Sequence, residues 1–181
     1  MLETSRLLSF AFRALITLLI VTLLWINIAK NYNHALTALA SPFLPTGATV
    51  QELDNRIAFG HPRFADDVII DGLTFHFGLV LLSVLVIAAG DIQILPRLYW
   101  LAGFGLATFV VHVIGITLLA AGLVWSSSAT SPIHSTRLVM SVFAIFWGLI
   151  PPLAGGIWCF VYWLPKTVNK TVSHSSDLNE I

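Results

Sequence analysis

The sequence predicts an all-α fold, a four-helix transmembrane bundle with one extracytoplasmic loop between helices 1 and 2. Composition is the first reason. Hydrophobic residues make up 57% of the chain and charged residues 10%, against roughly 25% charged in a typical soluble domain. The second reason is four apolar runs, at about 8–29, 73–90, 98–125 and 138–164. Each is near the length a tilted helix needs to cross ~30 Å of hydrocarbon. Third, the central hairpin's arms, 73–90 and 98–125, hold no acidic or basic side chain, and so much apolar helix calls for lipid as solvent. Mean hydropathy is +0.87, and residues 1–181 read as a single integral membrane domain.

The first run follows Glu3, Arg6 and Arg13 and resembles a signal peptide. However, Ala38-Leu39-Ala40 lies too far beyond it for a cleavage site. It reads as a retained helix, with Trp25 at the far interface. The loop, 30–72, is the largest polar region. Ala35 to Leu44 is half apolar and suits the membrane surface, until Pro42, Pro45 and Gly47 break any helix. Short β-prone runs then alternate with the turn signals Gly60-His61-Pro62 and Asp71-Gly72, as in a small hairpin capping one end of the bundle.

A polar corner at Asp91–Arg97 joins the hairpin arms, and a Ser-rich loop, Ser126–Thr136, leads to the fourth run. There Pro151-Pro152 predicts a break or kink, and Trp158, Tyr162 and Trp163 suggest an aromatic belt. A polar tail, 165–181, follows. Four crossings put both termini on one side with Arg6, Arg13, Arg97, Lys166 and Lys170. The other side holds Lys30, Arg56, Arg63 and Arg137. The positive-inside rule then places the termini in the cytoplasm.

Two histidines carry the chemical interest. His112 shares a helical face with Gly105, Thr108, Gly115, Leu119 and Gly122. Small residues beside an intramembrane imidazole would admit a flat macrocycle, with His112 as axial ligand to haem or chlorophyll. The same face also suits close packing against another helix, and a proton relay is a third reading. His76, one turn inside the second helix, is the second candidate ligand. Its depth need not match that of His112.

Other groups offer less. His61, Asp66, Asp67 and Asp71 fit no EF-hand or zinc spacing. Ser126–Ser128, His134 and Arg137 lack a nucleophile elbow. Cys159 has no second cysteine to pair with, and the sequon Asn169-Lys170-Thr171 falls in the tail. Net charge is zero, which gives no field to recruit nucleic acid. No enzymatic activity is expected.

The layout of WINIAKNYNHALTALASPFL, a β-prone segment, DGLTFHFGLVLLSVLVIAAG and a Pro-Arg corner is similar to the small membrane proteins found alongside exosortase-type transpeptidases in bacteria. That resemblance implies a non-catalytic accessory role in sorting or anchoring proteins at the envelope. Exosortases themselves are larger and use Cys, Arg and His, a constellation that Cys159, Arg137 and His134 do not reproduce.

The sequence thus leads to a non-catalytic accessory subunit in the bacterial plasma membrane. Its neighbours would be the lipid bilayer and other integral membrane subunits. Small residues on helix 3 (Gly105, Gly115, Gly122) and helix 4 (Ser141, Gly148, Gly155) are the expected helix-packing contacts. The alternative is a haem- or (bacterio)chlorophyll-binding subunit of a respiratory or photosynthetic complex, with His112 and then His76 as ligands. A small transporter component is the third, hinted at by the Pro151-Pro152 pair.

Overall fold

The computed structural model describes residues 2–64, 66–72, 76–89, 93–128, 132–158 and 161. Its elements run α1 (Leu2–Ala40), β1 (Thr49–Leu53), β2 (Arg56–Gly60), β3 (Val68–Asp71), α2 (Phe77–Ala88), α3 (Ile94–Ser127) and α4 (Pro132–Trp158). Three stretches, Leu8–Phe43, Ile94–Ser127 and Ile133–Trp158, are long and apolar enough to cross a membrane. The chain is a small helical membrane protein with a β-containing segment between its first two helices.

Helix α1 does not stop near Ala29 but continues to Ala40. Trp25, Ala29, Asn33, Leu36 and Ala40 are buried at helical steps of three and four. That inward strip carries the helix past Asn31, Asn33 and His34, whose intrinsic helix preference is weak. Pro42 ends it, within a single 3₁₀ turn over Ser41–Phe43. Ala35–Ala40 is therefore the end of α1 rather than a surface helix. On the outer face Leu8, Phe12, Leu15, Leu19 and Leu23 are exposed, the surface a bilayer solvates.

The polar loop forms a three-stranded antiparallel sheet in the order β1-β2-β3. Leu53 pairs with Arg56 across the tight turn Asp54-Asn55, and Ile57 pairs with Ile70. Asp54 takes a positive φ of 56°, a conformation its short polar side chain tolerates. Ile57, Phe59 and Ile70 join Leu36 and Ala40 of α1 and Ile116, Leu119 and Leu123 of α3 in one core. The sheet is thus packed into the side of the bundle.

Among the described residues helix α2 covers Phe77–Ala88, within the expected 73–90, and these twelve residues span roughly 18 Å. Residues 73–75 and 90–92 lie outside the described residues. Arg97 Nη1 donates to the carbonyl of Ile87 at 3.2 Å, satisfying an acceptor that the helix end leaves open.

Helix α4 runs through Pro151 and Pro152 without a break. Both rings pack where Gly78 of α2 has no side chain, so the neighbouring helix is shaped to receive them. Trp158 and Trp25 turn inward, against the expectation of interfacial anchors. Trp158 is 4% exposed and packs with Val86, Ala89, Trp100 and Phe104.

The small residues divide into two sets. Gly115 faces the Trp147 ring, Gly122 faces Val139, and Gly155 faces Leu82 and Leu85. Gly105 and Gly148 have nothing within 4 Å of a would-be Cβ, and Ser141 is exposed. Cys159, Tyr162, Trp163, the tail and its sequon, and Ala129–Ser131 of the Ser-rich loop lie outside the described residues.

A methyl group at Gly115 would overlap the Trp147 ring, and overpacking of this kind costs typically about 1–3 kcal/mol. Gly115→Ala is expected to lower the thermal midpoint in detergent. Gly148→Ala, which meets no neighbour, should leave it unchanged or raise it slightly. Equal midpoints for the two variants would show that Trp147 does not press on Gly115.

Candidate functional site

All four helical segments send a ring to one layer beside the sheet. Tyr32 comes from α1, His76 from the turn entering α2, His112 from the middle of α3 and Trp147 from α4. His76 is held by its backbone. Its N–H donates to the carbonyl of Gly72 at 3.2 Å, and its own carbonyl accepts from Leu79 N–H at 2.9 Å. It is neither at the protein surface nor remote from its counterpart. His76 is 0% exposed and His112 1% exposed, and their ring centroids are 4.7 Å apart.

Trp147 lies flat on His112, with centroids at 4.1 Å and planes within 11°. Its Nε1–H donates to His76 Nδ1 at 3.2 Å. Across the layer Tyr32 Oη hydrogen-bonds His112 Nδ1 at 2.7 Å, and its ring meets His76 edge-on at 5.0 Å. Trp25 packs edge-on against Tyr32 at 5.2 Å, and Phe109 lies 5.4 Å from Tyr32 on another side.

These bonds make the two imidazoles chemically different. An indole N–H can only donate, so His76 Nδ1 is an acceptor, and the neutral ring carries its proton on Nε2. The phenol of Tyr32 can donate to His112 Nδ1 or accept from it. In the first state His112 Nε2 is a donor; in the second it is a lone pair able to bind a metal. His112 Nε2 is buried and has no hydrogen-bond partner among the described residues. The same holds for both amide atoms of Asn33 and for Trp25 Nε1.

The remaining candidates do not assemble. Among the described residues no group of three or more His, Cys, Asp or Glu could hold a metal ion. His61 Nδ1 accepts from the backbone N–H of Arg63 at 3.1 Å in a turn. The serines at the end of α3 serve local structure. Ser126 Oγ donates to the Leu123 carbonyl and bonds Thr136, Ser127 Oγ donates to the Val124 carbonyl, and Ser128 Oγ accepts from Arg63 at 2.7 Å.

Sequence reasoning singled out both histidines but missed Tyr32, Trp147, Asn33 and the inward Trp25. A signal for the α1 residues was present in the 25, 29, 32/33, 36, 40 spacing. It was hidden by ending the helix at the first polar residues. Comparison with protein-family models, curated proteins and solved structures finds no match.

Trp147→Phe keeps a stacking ring on His112 and removes the indole donor to His76 Nδ1. The wild-type chain is expected to show His76 as the Nε2–H tautomer by ¹⁵N NMR, with a shift toward mixed tautomers in the variant. An unchanged His76 spectrum would mean that the indole does not set the proton's position.

Proposed function

We propose that this protein is an integral membrane subunit with a cofactor or ligand site at His112. One observation carries the reading. The His112 ring is oriented by Tyr32 at Nδ1, while its buried Nε2 has no partner among the described residues. Leaving such a group unpaired costs about 1–3 kcal/mol. Axial histidines share this arrangement, with one nitrogen tied by a hydrogen bond and the other turned to the metal.

A haem- or chlorophyll-type ring fits only one of the two histidines. His76 Nδ1 is occupied and its Nε2 bears the proton. Centroids 4.7 Å apart also leave no room for a macrocycle between the pair. On the small face of α3, Trp147 and Val139 fill the notches at Gly115 and Gly122, whereas the ground at Gly105 is open. A flat ring bound to His112 would approach from the Gly105 side.

The proposal places the subunit in a larger assembly, with Gly105, Ser141 and Gly148 as surface contacts for neighbouring helices. A bacterial plasma membrane and cytoplasmic termini belong to the same reading, as does the accessory role that the exosortase-associated layout implies.

Mild solubilisation from native membranes, followed by absorption spectroscopy and mass spectrometry, tests both halves. A Soret or near-infrared band is expected, lost in His112→Phe and kept in His76→Phe. A colourless wild-type sample would sink the metallocofactor half. Purification without any stoichiometric partner chain would sink the subunit half.

A further inference from the structure

A second feature lies on the lipid side of the histidine layer, with Gly115 and Trp147 at its floor. An apolar groove of about 520 Å³ lies between α3 and α4, and its walls include Val111, Ile114, Leu118, Leu138, Val142 and Phe146. On α4 the lining side chains recur at 138, 142, 146 and 150, so the groove runs lengthwise along the helix. Leu118 and Phe146 are more than 60% exposed on helices long and apolar enough to cross a membrane. This surface therefore meets acyl chains.

One end of the groove is basic. One helical turn before Leu138 on the same strip comes His134, and Arg137 directly precedes Leu138. A third basic group arrives from the sheet segment, where Arg63 Nη1 reaches Ser128 at the end of α3. From Ile92 to Trp158 the chain contains no Asp or Glu. Of the acidic residues near Arg63 in sequence, Asp67 is turned toward Gly60 and Thr49. Trp125, 64% exposed, stands at the same end of α3, where an indole suits the headgroup boundary. An apolar channel ending in basic side chains complements an amphiphile with an apolar tail and an anionic head.

We propose that this groove holds an acyl chain of an anionic glycerophospholipid, with the phosphate bound at Arg137 and His134 and Arg63 at the same end. The lipid would sit in the leaflet on the sheet's side. It would cover an exposed apolar flank of α3 and α4.

Native mass spectrometry of the full chain in mild detergent tests this, using phosphatidylglycerol and phosphatidylcholine with identical acyl chains. Phosphatidylglycerol is expected to be retained roughly fivefold or more over phosphatidylcholine. Arg137→Gln should bring the two to parity. Val142→Trp, or the milder Leu118→Phe if that variant melts early, should reduce retention of both by filling the groove. Equal retention of the two lipids by the wild-type chain would overturn the proposal, as would a preference that survives both Arg137→Gln and a folded groove-filling variant. Displacement of the lipid by inorganic phosphate alone would overturn the acyl-chain part. A protein crosslinked from Leu118→Cys in native membranes would assign the groove to a partner helix instead.

Discussion

The Trp147 indole is the constraint on which the bundle depends. It lies over Gly115 of α3, stacks on His112 and donates to His76 at the entrance to α2. One plate thus fixes α4 against α3 and the start of α2 together. Lipid supplies little hydrophobic drive for one helix to find another, because acyl chains are as apolar as the side chains. Shape and buried polar contacts must choose the arrangement. A large ring over a glycine notch supplies the shape. The N–H to imidazole bond supplies the polar contact, since either group left alone in so dry a layer would be costly. Tyr32 completes the lock from α1 through its bond to His112.

The height of this layer explains why the sheet packs beside the helices. The apolar run of α1 ends at Lys30, which forms an exposed ion pair with Asp54 at 3.3 Å. Tyr32, two residues on, reaches His112 in the middle of α3. The polar end of one helix is therefore level with the midpoint of another. Among the described residues α2 runs from that level as Phe77–Ala88. Above it, Ile116, Leu119 and Leu123 of α3 would have no neighbour on that side. The sheet presents Ile57, Phe59 and Ile70 to them. At 34 residues, α3 is roughly 51 Å long, well beyond a ~30 Å hydrocarbon core. The sheet shields one flank of that excess length.

Apolar periodicity and breakers made the broad fold readable. The uncharged arms around Arg97 gave the helices, and Asp71-Gly72 gave a strand end. Periodicity could not show that Asn33 and His34 continue a helix, because that depends on Leu36 and Ala40 finding a sheet to bury against. Likewise, Pro151-Pro152 promised a break, and only the glycine opposite, Gly78, reveals how the helix passes through. The candidate site was half legible. An intramembrane histidine advertises itself. Its partners Tyr32 and Trp147 lie 80 residues before His112 and 35 after it, at positions where aromatic residues are ordinary in a membrane protein. Only the folded chain brings them together.

Two histidines of similar sequence context end up with unequal chemistry, and the inequality follows from which donor faces each. Trp147 has one proton and no lone pair to offer through its indole nitrogen, so His76 is confined to one neutral tautomer. Tyr32 can give or take a proton in its hydrogen bond, so His112 keeps both. A ring that can expose either N–H or a lone pair at a buried, unpartnered nitrogen can answer a carbonyl, an anion or a metal. A ring fixed by an indole can only donate. The layer therefore has a fixed member and an adaptable member. Trp147 couples them in position, stacked on His112 and hydrogen-bonded to His76, while each keeps its own hydrogen-bond partner. That division of roles gives His112, rather than the pair, the stronger claim to whatever the layer binds.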